Sequence, residues 1–305
     1  MSARSTEARP IEARPIEVRP IEVRPIEVRT SDGWLLRGDR RGAGDRVIVC
    51  GHAMMVDRRS LDRPRGGGLA SALAASCEVL TFDVRGHGES RPGADEGASW
   101  SYDDIVQRDV PALILAARRI AEGRKVILLG HSLVAHASLI HAGLEPDRTA
   151  DAIIALAPNL WTPRLEPSRP RRIMKGALLS SWARATRAMG YFDARAFRIG
   201  ADAEPLPYIE QFRRMWQRDR LSSMDGAIDY EAALGRAALP VLAYSSTGDA
   251  LFARPPCVAG YLACMRAARV EHRTIDDRSL DHMGFVASPR ARPMWDELAK
   301  WARTI

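Results

Sequence analysis

Cysteine is scarce in this chain, four residues in 305. Cys50, Cys77, Cys257 and Cys264 show no Cys-x-x-Cys spacing. That argues against a zinc site or a disulfide scaffold, fits a reducing compartment, and makes a cytoplasmic location the expectation. Long apolar runs are missing too. The cleanest, Ala112 to Ala117 and Val126 to Leu129, fall well short of the ~20 residues that span a bilayer and suit a core helix and a buried strand. The N-terminus has no apolar stretch of the secretory type, so no export signal is expected. Lysine is nearly absent: Lys125, Lys175 and Lys300 are outnumbered heavily among 45 basic residues. Such an arginine bias fits coding-DNA composition better than nucleic-acid recognition, and no nucleic-acid partner is expected.

What remains is the make-up of an ordinary globular protein, 46% hydrophobic and 27% charged, long enough to bury one large core. The net charge of +7 is unevenly placed. From Trp161 to Gly200 the basic residues Arg164, Arg169, Arg171, Arg172, Lys175, Arg184, Arg187, Arg195 and Arg198 face only Glu166 and Asp193. The rest of the chain is close to neutral.

The chain opens on a repeat. Arg-Pro-Ile-Glu-Ala starts at Arg9, and Arg-Pro-Ile-Glu-Val starts at Arg14, Arg19 and Arg24. A proline every fifth residue forbids a regular helix, and a five-residue period matches neither helix nor strand. Residues 1–25 are therefore expected to form a disordered or polyproline-II-like tail. Ile26 to Thr30, Ser31-Asp32-Gly33 and Trp34 to Arg37 then read as strand, turn and strand.

From Arg46 short apolar runs alternate with helical segments. Strands are expected at Arg46 to Cys50, Cys77 to Asp83, Lys125 to Leu129, Ala152 to Leu156, Pro240 to Ser245 and Arg269 to Ile275. Helices are expected at Leu69 to Ala75, at Tyr102 to Ala121 with a kink at Pro111, from Ser132, and at Pro293 to Arg303. The alternation implies crossover units and a mostly parallel sheet. Asn159 to about Ala238 breaks it. This stretch shows no convincing strand and holds most of the aromatics. It reads as a helical insertion over one end of the sheet. Met174, Leu178, Trp182, Ala185 and Met189 fall at helical spacing and predict its buried stripe, with a basic opposite face. The expected organisation is thus a core of residues 26–158 and 239–305 with a helical cap at 159–238.

The chemistry centres on Lys125-Val-Ile-Leu-Leu-Gly130-His131-Ser132-Leu133-Val134, a buried strand running through Gly-x-Ser into a helix. A serine on such a tight turn projects its hydroxyl above the sheet, and the helix N–H groups face a developing oxyanion. Gly51-His52-Ala53-Met54 follows the first core strand. Asp83-Val-Arg-Gly86-His-Gly88-Glu-Ser90 follows the next. With the elbow, these motifs resemble the α/β-hydrolase superfamily over about residues 26–158 and 239–305, and within it the capped esterase/lipase and serine-aminopeptidase-like hydrolases.

The resemblance implies an α/β-hydrolase fold, a mostly parallel central sheet flanked by helices with a cap insertion. It implies a nucleophile, acid and histidine in that chain order. Ser132 matches the nucleophile. Asp249, in Ser245-Ser-Thr-Gly248-Asp249, matches the acid turn, and His282, in Leu280-Asp281-His282-Met-Gly284, the terminal histidine loop. The backbone N–H groups of Met54 and Leu133 take the oxyanion. Asp276 and Asp277 are less well placed acids, and His272, in a strand-like run, a rival base. His52, Asp83 and His87 read as loop holders, His131 as packing beside the elbow, and His136, one helical turn past Ser132, as core.

The expected activity is a serine hydrolase of carboxylic esters with an apolar or lipid-like acyl group, needing no cofactor. The serine argues against an epoxide hydrolase or a dehalogenase, which in this fold use an aspartate nucleophile. Two alternatives stay open: acyl transfer or amide and peptide cleavage by the same triad, and a catalytically impaired binding protein. The second arises because Val134 stands where the family's elbow has glycine. Either it crowds the turn or the sheet opens to hold it. Ala53 replaces another family glycine, which is tolerable if its φ is negative. The aromatics of the insertion are expected to line an apolar cleft, and its basic face to be either solvated or a contact for anionic lipid.

Overall fold

Residues 22–63 and 65–305 are described by the structure, a computed structural model; the bulk of the repeat tail, residues 1–21, lies outside them. The ordered chain begins with a hairpin of β1 (Val23–Arg29) and β2 (Leu35–Arg41). Its turn is closed by Gly33 N–H to Thr30 O (3.0 Å), with Gly33 at φ +88°. The strand starts three residues before Ile26, because Val23, Arg24 and Pro25 find register partners in Arg41, Arg40 and Asp39. Pro25 is tolerated there because β1 is the outermost strand, where a missing N–H can face away from the ladder.

The remaining strands are β3 (Arg46–Gly51), β4 (Glu78–Phe82), β5 (Lys125–His131), β6 (Ala152–Leu156), β7 (Tyr191–Phe192), β8 (Glu204–Pro205), β9 (Pro240–Ser246) and β10 (Arg269–Ile275). Eight of them form one sheet in the order β1-β2-β4-β3-β5-β6-β9-β10. It is parallel from β4 to β10, and β2 runs antiparallel to β1 and β4. β4 and β6 are buried throughout, and β3 and β5 from their second residue on. Helices cover both faces, so these strands read as unbroken apolar runs rather than alternating ones.

The helices are α1 (Leu69–Ala74), α2 (Tyr102–Asp104), α3 (Val110–Ala121), α4 (Leu133–Leu144), α5 (Arg169–Met189), α6 (Leu206–Arg218), α7 (Tyr230–Arg236), α8 (Pro255–Leu262), α9 (Gly284–Ala287) and α10 (Arg292–Ala302). The helix expected over Tyr102 to Ala121 forms with a widened π turn at Ile105–Asp109 between α2 and α3. Pro111 supplies no N–H and its ring would strike the carbonyl four residues back, so the turn opens just before it.

Between β6 and β9, α5 packs on α6, and α7 packs on α4 under the sheet's helical layer. Two short strands, β7 and β8, pair antiparallel in a stretch where no strand was expected. Two-residue strands leave no periodic trace in a sequence. The buried stripe of α5 also differs from the expected one. It comprises Lys175, Leu179, Trp182, Ala183 and Thr186, whereas Met174 and Met189 are exposed. Lys175 stands in the stripe where Met174 is expected. Its ammonium pairs with buried Glu166 (3.0 Å) and sits 4.7 Å from the centre of the Trp161 ring. A paired lysine thereby takes a core position that hydrophobic spacing assigns to its neighbour.

Candidate active site

β5 delivers Ser132 at the carboxyl edge of the sheet, between a strand and the first turn of α4. Its backbone is strained, φ 50° and ψ −102°. A non-glycine residue persists there only where the surroundings hold it. Ser132 N–H donates to Leu156 O (2.8 Å) and His136 N–H to Ser132 O (3.0 Å). A Cβ at Gly130 would lie 2.2 Å from Ala135 N, so the strand and helix approach closely enough to require glycine.

Val134 is fully buried, and the sheet has not opened around it: β3 and β5 stay in register through Gly51 and Gly130. The room comes from the neighbouring strand. A Cβ built on Gly51 would fall 2.4 Å from Val134 Cγ1 and 2.6 Å from Cγ2. The valine methyls occupy the volume that a side chain at position 51 would need. Ala53, the other departure, is not among the positive-φ residues.

The loop after β9 carries Asp249, and the loop after β10 carries His282. His282 Nδ1–H donates to Asp249 Oδ2 (2.5 Å), and Asp249 Oδ1 accepts the Phe252 N–H (3.0 Å). Burial pushes the Asp249 carboxyl up, but the charge and hydrogen bond of His282, with backbone N–H groups, hold it below the usual carboxylate value. The imidazole lies against the Phe252 ring (centroids 4.8 Å) and the His131 ring (5.0 Å). His131 Nε2–H braces the loop by donating to His282 O (2.9 Å). Its own pKa is lowered to about 3 by burial and by the charge of His282.

Ser132 and His282 line one cavity. The imidazole's hydrogen bond is to Asp249; none to the Ser132 hydroxyl is present among the described residues. In substrate-free sites such a bond is commonly long and tightens on substrate binding. The Met54 side of the cavity adjoins the first turn of α4, where Leu133 N–H, as the first helical amide, has no intrahelical acceptor.

The cavity volume is about 40 Å³. That admits a few water molecules. Trp161, Leu179, Trp182, Ile209 and Phe212 form one wall, all between β6 and β9. Tyr191 and Phe197, from the same stretch, are not among the lining residues, and Phe197 is exposed. Ala157, Asn159, Phe252 and Ala253 come from the carboxyl ends of the parallel strands and the loops that follow. Neither Asn159 nor Phe252 was anticipated. Their position just past β6 and β9 was the available signal, since ligands of open parallel sheets bind at that edge.

His136 also lines the cavity. Its Nδ1 lies 2.7 Å from the Tyr102 hydroxyl, and burial, with the charge of His282, lowers its pKa to about 3. So weak a base is poorly suited to take up a proton near neutral pH. His272 bonds to Ser245 Oγ in the sheet (2.9 Å). Asp277 caps the Ser279 N–H (2.8 Å) and Asp276 accepts from Thr247 (3.1 Å). Asp83 accepts N–H groups from Arg58 (2.6 Å) and Glu89 (2.9 Å).

A family model described as "Serine aminopeptidase, S33" matches residues 67–257. Among solved structures, an esterase of Pyrococcus furiosus superposes with a TM-score of 0.61 at 16% identity, covering 93% of this chain and 90% of that one. A monoacylglycerol lipase of Paleococcus ferrophilus gives 0.56 at 18% identity, covering 88% and 98%. An E-2-(acetamidomethylene)succinate hydrolase gives 0.55 at 18% identity, covering 92% and 98%. At these identities the likeness is one of fold. No curated protein sequence matches the chain.

Proposed function

Because the chain belongs to the serine aminopeptidase family of α/β hydrolases, we propose that this hydrolase cleaves carboxylic esters through an acyl-enzyme on Ser132. The observation that carries the reading is the short His282–Asp249 contact beside the cavity that the strained Ser132 also faces. His282 Nε2 takes the hydroxyl proton as Ser132 Oγ attacks the ester carbonyl. Asp249 accepts the Nδ1–H, which fixes the tautomer and stabilises the imidazolium. The N–H groups of Leu133 and Met54 hold the oxyanion, assisted by the positive end of α4. The imidazolium then protonates the departing alcohol. A water, deprotonated by the same nitrogen, attacks the acyl carbon and releases the acid.

The apolar wall favours an apolar or lipid-like acyl group. The family description favours a second substrate class, an amide or peptide. A free peptide amine needs a carboxylate, however, and no acidic side chain lines the cavity among the described residues. Residues 159–238 act in this reading as the cap. On α5 the exposed Ile173 and Met174 adjoin Arg169, Arg171 and Arg172, a combination suited to anionic lipid surfaces. All four cysteines are free thiols, which fits the cytoplasm. The test is Ser132→Ala assayed on p-nitrophenyl esters alongside matched amides and thioesters. Folded Ser132→Ala should lose ester turnover; retained turnover would remove Ser132 from its role.

A further inference from the structure

Resting on the reading of Met54 as an oxyanion donor, we propose that Glu204 is a positioning residue for the reaction. Its carboxylate, held by His87, fixes the peptide that follows Met54, so that Gly200–Glu204, a segment between β6 and β9, completes the oxyanion hole.

A backbone N–H can serve an oxyanion only if its peptide plane is held at the right angle. Three successive planes are held here. The Ala53 carbonyl accepts from His52 Nδ1–H (2.7 Å), while His52 Nε2 accepts the Val84 N–H (3.1 Å), which sets the tautomer. That carbonyl shares a trans peptide with the Met54 N–H, and the two point in opposite directions, so anchoring one aims the other. In the next plane, Met55 N–H donates to Glu204 Oε1 (3.0 Å). In the third, Met55 O accepts the N–H groups of Ala201 (2.7 Å) and Asp202 (3.1 Å).

Met55 itself has φ 63°, left-handed backbone that a methionine adopts only when both ends are held. The first plane is secured from within the sheet's own loops. The second and third are secured from the segment between β6 and β9. Its approach is tight: a Cβ on Gly200 would lie 2.2 Å from Met55 O.

Glu204 is fully buried, and so is His87. Glu204 Oε1 lies 3.0 Å from His87 Nε2, and His87 Nδ1 lies 2.8 Å from Arg85 O. Both ring nitrogens thus face acceptors, which requires both to carry protons. Asp202, whose Oδ1 accepts the Gly88 N–H (3.3 Å), adds a second carboxylate near the imidazolium. A dry ion pair is a poor device for stability, because its desolvation offsets its attraction. It is a good device for holding one carboxylate oxygen on one backbone N–H.

The experiment compares Glu204→Leu, Glu204→Gln and Gly200→Ala on a p-nitrophenyl ester and its thionoester, with thermal unfolding as the fold control and Ser132→Ala in parallel. A thionoester develops its charge on sulfur, which accepts hydrogen bonds weakly, so it draws little on the hole. Loss of Met55 anchoring should lower kcat on the oxygen ester by about 10²–10³ with KM within about threefold. The thionoester rate should change far less, and the ratio of the two should collapse. Gln retains an acceptor for Met55 N–H and should restore most of the rate. Gly200→Ala presses on Met55 O without altering a charge and should reproduce the collapse, deciding the matter if Glu204→Leu does not fold. An unchanged ratio in folded Glu204→Leu or in folded Gly200→Ala overturns the proposal. If Ser132→Ala is inactive in that case, the ester-hydrolase reading stands alone; if it is active, that reading falls on its own account.

Discussion

Gly51 and Val134 offer a direct test of how an elbow without its usual glycine is accommodated. In Gly51→Ala the new Cβ would sit 2.4 Å, 2.6 Å and 2.7 Å from Val134 Cγ1, Cγ2 and Cβ. Ordinary contact begins near 3.4 Å, so Val134 would have to retreat by about 1 Å. It has little freedom to do so, because α4 starts at strained Ser132 and its neighbour Gly130 touches Ala135. Overpacking of this kind costs about 1–3 kcal/mol. Reduced freedom of the unfolded chain returns about 0.4–1 kcal/mol, since Gly51 has no positive φ. The expected net loss is about 1–2 kcal/mol, read as a lower urea midpoint at constant m-value. Val134→Ala removes the offending methyls and alone leaves a small cavity. Combined with Gly51→Ala it should cost less than the sum of the two changes by about 1 kcal/mol or more. Ester turnover should fall in Gly51→Ala and recover in the pair. Additivity within about 0.3 kcal/mol would show that the gap at Gly51 is not what holds Val134.

The remaining predictions concern charge. His87 is raised to about 9: burial is the largest single effect and opposes the charge, but the charge and hydrogen bond of Glu204, the charge of Asp202 and the Arg85 carbonyl together outweigh it. A raised histidine stabilises fully below its unfolded pKa near 6.5 and loses that contribution as pH rises toward 9. Stability should therefore fall between pH 7 and 8.5 by about 1 kcal/mol per pH unit, and His87→Gln should abolish the slope in urea titrations. His52, His131, His136, His141 and His272 are all lowered and act below that window; a slope surviving in His87→Gln would refute the assignment. Lys175→Met should destabilise by on the order of 3 kcal/mol by leaving Glu166 with Arg254 (3.0 Å) as its one cationic partner among the described residues, whereas Lys175→Met with Glu166→Gln should recover part of it. No recovery in denaturant midpoints would mean that packing, not charge, sets the cost. Vesicle cosedimentation should rise with the anionic lipid fraction and fall in Arg171→Glu with Arg172→Glu; binding indifferent to lipid charge would leave α5 a merely solvated face.

Much of this molecule is legible along the chain. Strands such as Arg46–Gly51 and Ala152–Leu156 are buried on both faces, so their identity is written in consecutive apolar residues that need no partner to be recognised. The elbow, the acid turn and the histidine loop are local patterns too, because each must make a particular turn at the end of a strand. What tertiary structure alone decided lies in the relations between distant segments. Gly51 makes room for Val134 across two strands. Lys175 takes a core place on α5 by pairing with Glu166. Glu204 reaches back some 149 positions to the Met55 amide. A turn is dictated by its own residues and their torsions. A void, a buried charge pair or a backbone clamp exists only when two surfaces meet, and neither surface carries its mark alone.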